Sequence, residues 1–270
     1  MLRKLMKLLI TVTCLIVFFY VNNTWLTVSN HSVNSPEIPA AFDGYRILRV
    51  SDLHDATFGE NQQRLVNKIQ QEKPNMIVIT GDLIDSNRYD LQNSLDLVDQ
   101  IIEFADVYYV TGNNEVETND VDRIKEQLIA RGVRVLSNET IHIERDGVSI
   151  SLSGIEDPLI GDEASDMIAA SRVPSDAFTV LLAHRPEDFQ AYADAEIDVT
   201  FSGHAHGGQF RIPFLGGLVA PGQGFFPKYT AGVYEQGNSK LIVSRGLGNS
   251  IIPIRLLNLP EIVVVTLKSS

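Results

Sequence analysis

After residue 44 the chain alternates short continuous apolar runs with stretches whose apolar positions recur every three to four residues. The runs at 46–50, 75–80, 106–111, 133–136, 178–182 and 197–201 predict buried strands. The stretches at 61–71, 91–104, 120–131, 163–170 and 187–192 predict helices, with Leu65, Val66 and Ile69 forming the apolar stripe of the first. Residues 141–144 and 148–152 read as a hairpin across Arg145-Asp146-Gly147. The tail adds strands at 241–244 and 261–267. Strands that alternate with helices imply an α/β layered fold, and the hairpin and strand-rich tail imply a second sheet packed on the first. Residues 24–44 are polar, with Pro36 and Pro39. They read as a linker or an edge strand ahead of one domain over 45–270.

Residues 1–23 follow a different pattern. Arg3, Lys4 and Lys7 precede an apolar run from Leu8 to Val21, interrupted by Thr11, Thr13 and Tyr20. With Leu5, Met6 and Trp25 the segment over residues 5–25 reaches the roughly 20 residues a spanning helix needs. The leading positive charges keep the N-terminus in the cytoplasm and send the rest outside. A cleaved signal peptide is the alternative, with a secreted product. No Ala-x-Ala-like site follows Val21, which favours an uncleaved single-pass anchor in the cell membrane. Cys14, the one cysteine, lacks a small residue before it and reads as a small hydrophobe in the span, so no intrachain disulfide is available.

Charge narrows the partners. The formal net charge is −12, and the three basic residues of the anchor make the remainder more acidic still. Such a body repels DNA and RNA, so no nucleic acid is expected as a partner. A phosphorylated substrate would need a local attractor, and a metal is the obvious one.

The candidate chemistry lies at strand ends. The run at 46–50 leads into Ser51-Asp52-Leu53-His54, and the run at 75–80 into Gly81-Asp82. The run at 106–111 leads into Gly112-Asn113-Asn114-Glu115. The run at 178–182 leads into Ala183-His184-Arg185, and the run at 197–201 into Gly203-His204-Ala205-His206. Open α/β sheets bind ligands outside the carboxyl ends of their strands. His204 and His206, two apart in extended backbone, leave the same side and can converge. Of six histidines, four occupy such strand ends, which scattered surface histidines would not do; His31 and His142 are assigned nothing.

With these motifs in this order the chain resembles the calcineurin-like metallophosphoesterase superfamily, whose pattern is Asp-x-His, Gly-Asp, Gly-Asn-His, His and Gly-His-x-His. It is most similar to the membrane-associated Asp-Leu-His group that includes UDP-2,3-diacylglucosamine hydrolase-like enzymes. The likeness runs from Gly44 to about Leu267 and includes Ser244-Arg245-Gly246-Leu247-Gly248 and Pro253-Ile254-Arg255. It implies a four-layered α/β/β/α sandwich and a metal-dependent phosphohydrolase. Carried over by motif, one metal is held by Asp52, His54, Asp82 and His206, and the other by Asp82, Asn113, His184 and His204, with Asp82 bridging. Two divalent ions about 4 Å apart clamp a phosphate and activate a hydroxide for in-line attack. The mixed donor set suits manganese, iron or zinc. Asp85 stands where related purple acid phosphatases place a metal-binding tyrosine, so no iron–tyrosinate centre is expected.

Asn114 departs from the family, which has a histidine there that assists phosphoryl transfer and can protonate the leaving group. An amide donates a hydrogen bond to phosphate but supplies no proton. Two readings follow. One is an enzyme that favours good leaving groups, such as those of pyrophosphates, with Asn114 and Asp82 catalytic. The other is a weakened metal- or phosphate-binding module. Arg185 and Arg211 are candidates for phosphate contact, with Arg185 also a catalytic candidate, or else surface ion pairs. The Gly- and Pro-rich segment 213–232, with Phe214, Leu215, Phe225 and Phe226, reads as a packed loop rather than a lip for a lipid-linked substrate.

Overall fold

Two six-stranded sheets stack face to face, and helices cover the outer side of each. The computed structural model describes residues 1–172, 177–250 and 252–270. The first sheet holds β1 (Thr27–Ser35), β2 (Arg46–Val50), β3 (Met76–Thr80), β4 (Asp106–Val110), β5 (Arg134–Val135) and β16 (Glu261–Ser269), in the order β1-β16-β2-β3-β4-β5. The second holds β6 (Glu139–Arg145), β7 (Val148–Gly154), β8 (Thr179–Leu182), β9 (Val199–Ser202), β14 (Gly232–Gln236) and β15 (Ser239–Val243), in the order β14-β15-β9-β8-β7-β6. Between β9 and β14 lie two small hairpins, β10 (Arg211–Ile212) with β11 (Gly216–Gly217) and β12 (Val219–Ala220) with β13 (Gly224–Phe225).

The helices are α1 (Leu2–Thr24), α2 (Gln63–Gln71), α3 (Leu91–Ile101), α4 (Asn113–Glu117), α5 (Val121–Ala130), α6 (Ala164–Ser171) and α7 (Phe189–Asp194). Strands β2 to β5 run parallel, as do β7, β8, β9 and β15. Each sheet therefore gathers several carboxyl ends along one edge. The central strands are apolar throughout because both of their faces are covered. In β2, Ile47 points between the sheets and Leu48 points outward under the helices. Met76, Val78, Val180, Leu182 and Phe201 fill the layer between the sheets. Leu65, Ile69, Val98 and Leu128 cover the first sheet, and Met167, Phe189 and Tyr192 the second. The four-layered α/β/β/α order is as expected.

Residues 24–44 are more than a connection. β1 pairs in parallel along the whole of β16, from Thr27 opposite Glu261 to Ser35 opposite Ser269. This is the edge-strand alternative; Val33 is the one buried side chain of β1, so its apolar pattern alone did not decide between strand and linker. Segment 213–232 departs from the packed loop expected. Phe214, Leu215, Phe225 and Phe226 are exposed, and Gly232 opens β14.

Among the described residues α1 is the one helix long and apolar enough to cross a membrane. It is exposed along most of its length and meets the domain at its last turn, where Asn22 is buried.

Candidate metal centre

The two sheets meet at their carboxyl edges, and the loops leaving β2, β3, β4, β8 and β9 converge there. Close backbone approach makes this possible. Asp52 N donates to Gly81 O (3.1 Å), His54 N to Asp82 O (3.1 Å) and Gly203 N to His184 O (3.0 Å). A side chain on Gly203 would overlap Asp52 and Ser51 Oγ, and one on Gly112 would overlap Asp82. Asp52, His54, Asp82, His204 and His206 all hold left-handed backbone, with φ between 45° and 62°. Non-glycine residues accept this conformation where a site demands it.

Two groups of side chains able to hold a metal ion result. Asp52, His54, Asp82 and His206 form one, and Asp82, His184 and His204 the other, with Asp82 in both. Asn113 joins the second, its Oδ1 lying 3.3 Å from His184 Nε2. Asp82 Oδ2 stands 3.4 Å from both His54 Nε2 and His184 Nε2. All of these histidines and aspartates are buried.

The imidazoles meet in pairs, His54 Nε2 to His206 Nε2 at 3.0 Å and His184 Nε2 to His204 Nδ1 at 3.1 Å. Two ring nitrogens that close repel unless a proton or a cation lies between them. Burial opposes charge on His54, yet Asp82, Asp85 and Asp52 raise it to about 9. Asp82 raises His184 well above the usual range in the same way. Burial and the charge of His184 push His204 down to about 3, and burial and the charge of His54 push His206 well below its usual value. Burial works against the Asp82 charge, but His184 and His54 hold its carboxyl well below the ordinary range. Each pair thus turns one ring nitrogen toward the shared carboxylate of Asp82. The residues fit two divalent cations with mixed oxygen and nitrogen donors.

Outer partners fix the ligands. His184 Nδ1 donates to Thr80 O (2.8 Å), which leaves Nε2 for the centre. Ser51 Oγ donates to Asp52 Oδ2 (2.6 Å), and His204 N donates to Asp52 Oδ1 (2.7 Å) across the two sheets. Asp85 Oδ2 faces His54 Nδ1 at 3.7 Å and is held by Arg88. Glu187 Oε1 faces His204 Nε2 at 3.7 Å.

Asn114 is more occupied than its position suggests. Its Nδ2 donates to Asp82 Oδ2 (2.8 Å), its backbone N to Asp82 Oδ1 (2.9 Å), and its Oδ1 accepts from Ser86 N and Oγ. Glu115 is fully buried, and its carboxylate accepts from the backbone N of Asp82, Leu83, Ile84 and Gly112. It binds the two loops together and has no access to a substrate.

The centre opens on a cavity of about 270 Å³ lined by Asp82, Asn113, Asn114, Arg185, His204 and His206, with Pro221, Gly222 and Ser250 on its rim. Arg185 reaches it as half of an ion pair, with Nε and Nη2 donating to Asp157 (2.9 and 2.8 Å). Arg211 is not among the residues lining this cavity. Its Nη1 donates to Gly207 O (2.8 Å), so it braces the histidine turn from behind. Asp157 and Glu187 escape a reading of the sequence, and Ser51 stood there only as part of its motif, with no role assigned. Asp157 had one signal, since it follows the carboxyl end of β7 as the ligands follow their strands.

A sandwich that gathers carboxylates and imidazoles around one shared aspartate at its strand ends is the framework of a metallohydrolase. The family model for calcineurin-like phosphoesterases matches residues 45–208, and the chain belongs to that family. It is therefore a hydrolase acting on phosphoester bonds. It is 31% identical to an uncharacterized metallophosphoesterase of Bacillus subtilis, YkuE, over 93% of this chain and 88% of that one. It is 29% identical to an uncharacterized metallophosphoesterase of Campylobacter jejuni, over 96% of this chain and 68% of that one. A transmembrane protein with metallophosphoesterase domain from Danio rerio is 29% identical over 87% of this chain, which spans 55% of that protein.

Proposed function

We propose that the chain is a single-pass membrane protein whose hydrolase domain lies outside the cytoplasm. Its substrate is a phosphomonoester, phosphodiester or pyrophosphate of the cell envelope, carried on a lipid or a nucleotide. The observation that carries the reading is Asp82, one carboxylate shared by two buried ligand groups that open on a single cavity. The anchor rests on the exposed apolar length of α1 behind Arg3, Lys4 and Lys7.

Asp52, His54, Asp82 and His206 would hold one divalent ion, and Asp82, Asn113, His184 and His204 the other. Two such ions supply Lewis acidity toward the phosphoryl oxygens and an activated water. The protein's own part is geometry. Asn114 and Glu115 lock Asp82 from two sides, Ser51 locks Asp52, and Arg185, held by Asp157, places a guanidinium on the cavity wall. An amide at 114 leaves the leaving group without a strong proton donor there, so anionic leaving groups suit the site.

Asn114 also favours a second reading, a module that binds phosphate without turnover, against which stands the complete ligand set. The test is hydrolysis of an aryl phosphodiester by the purified full-length chain with added manganese. Turnover that Asp82→Ala abolishes is expected. No turnover of any ester or pyrophosphate with both sites loaded would leave the binding module.

A further inference from the structure

Three loops beside the cavity turn large apolar side chains outward. The β10–β11 turn carries Phe214 and Leu215, the β12–β13 hairpin ends in Phe225 and Phe226, and the segment before β16 carries Ile252, Ile254 and Leu257. All are exposed, Phe214 completely. Phe214, Phe226 and Leu257 hold left-handed backbone, with φ of 70°, 53° and 51°. Bulky residues adopt that conformation only at a cost. The loops are stitched into one surface: Arg211 N donates to Leu256 O, Phe226 N to Leu218 O, and Gln209 Nε2 to the carbonyls of Ile252 and Ile254. An apolar cluster of this kind marks an interaction surface.

Two observations say what covers it. The first is the end of α1. Asn23 Oδ1 accepts from Asn249 Nδ2 (2.9 Å) and from Arg255 N (3.2 Å), so the last turn of the helix is bonded to the loop that carries Ile254 and Leu257. A helix of 23 residues rises about 34 Å, against roughly 30 Å of bilayer hydrocarbon. Its last turn, and the loop bonded to it, would lie at the headgroup layer. The second is charge. Residues 210–228, which hold both hairpins, contain no acid and two bases, Arg211 and the exposed Lys228, in a chain of net charge −12. A surface cleared of carboxylates suits anionic headgroups.

We propose that these loops rest in the headgroup–acyl boundary of the leaflet where α1 ends. They would press the mouth of the metal cavity to the membrane, so that a lipid-linked phosphoester enters from the headgroup plane. The inference rests on the membrane-anchored reading above. One hairpin joins the two sides: Pro221 and Gly222 in its turn line the cavity, while Phe225 and Phe226 face out. A cavity of about 270 Å³ is smaller than most ligand pockets. It takes the phosphoryl end and leaves the lipid portion among the exposed side chains.

The chain's one tryptophan, Trp25, follows α1 directly, which permits a direct test. Full-length protein is reconstituted in phosphatidylcholine–phosphatidylglycerol vesicles, with and without acyl-brominated phosphatidylcholine, which quenches indoles at the acyl boundary. Wild type reports on the anchor, and a Trp25→Phe, Phe225→Trp variant reports on the hairpin. Both should lose most of their emission. Quenching of the wild type alone overturns the docking surface and leaves the anchor standing. Quenching of neither overturns the anchor and the docking surface together. A second variant replaces Phe214, Leu215, Phe225 and Phe226 by serine, which the fold tolerates because these side chains are exposed. Its turnover of a vesicle-embedded phosphoester should fall about tenfold or more, with an aryl phosphodiester in solution hydrolysed at the wild-type rate. Equal rates on both substrates would overturn productive docking.

Discussion

Asn114 shows how much a single side chain can hold in place. Its amide occupies the Asp82 oxygen nearest both His54 and His184, and its own oxygen is fixed by Ser86. Removing such an outer partner weakens metal binding by about 10–100-fold. Asn114→Ala should do so in a metal titration by calorimetry, and unchanged affinity would mean that Glu115 and the backbone suffice. Asn114→His adds a proton donor, an effect worth roughly 10²–10⁴-fold where the leaving group needs one. It should speed alkyl esters more than aryl esters, and equal gains on both would remove the leaving-group argument. Gly203 tests the opposite constraint, space. A methyl there overlaps Asp52 and Ser51, so Gly203→Ala should lose metal binding as well as activity, which the same titration reads.

At the scale of elements, the strands and the motifs that follow them were legible because both signals are local. β2 spans the predicted residues 46–50, and β3, β4, β8 and β9 each lie within two residues of expectation. The left-handed turns at Asp52 and Asp82 were not legible, and those at His204 and His206 replace the extended backbone expected there. Nothing in those residue types demands positive φ; the approach of one loop to another does. β1, a polar edge strand paired across the full chain with β16, was legible only as one of two alternatives, linker or edge strand. A charge at the far end of the second sheet gives an independent check. Asp198, just before β9, accepts from Thr179 N, and burial, with Glu37 nearby, raises its carboxyl to about 6. A carboxyl raised in the folded state favours folding while it is protonated, and that contribution is lost as pH climbs from the unfolded value near 4 through 6. Asp198→Asn keeps the acceptor for Thr179 and removes the charge. It should raise stability at pH 8 by on the order of 1 kcal/mol, discounted for partial exposure, with the gain vanishing toward pH 4. Denaturant midpoints of the detergent-solubilised protein at both pH values measure it.

For the whole molecule, the metal centre is the joint between two sheets, so its occupancy should register in global stability. Side chains that follow β2 and β3 of one sheet and β8 and β9 of the other meet around Asp82. Metal at about 100 times its dissociation constant adds roughly 2.7 kcal/mol, or about 5–10 °C in a chain of this size. Chelation should lower the melting temperature by that amount, and manganese, iron or zinc should restore it, as read by differential scanning fluorimetry. A melting temperature indifferent to chelator would mean that the sheets are joined without the ions. Charge is likewise a property of the whole: the acids are spread over the body and nearly absent from 199–260.

The sequence by itself determined the order of the central strands and their flanking helices, the apolar N-terminal segment and the motifs that supply the candidate metal-binding residues, because apolar runs and short motifs act over neighbouring residues. It also held Asn114 in view as a departure. Only the tertiary structure decided what Asn114 touches, that Glu115 is spent on four backbone N–H groups, and that Arg185 belongs to Asp157 while Arg211 lies behind the site. It also decided that Phe214, Leu215, Phe225 and Phe226 face outward. Each of these depends on surfaces that meet only when two sheets pack, and residue type alone cannot say which neighbour a side chain will find.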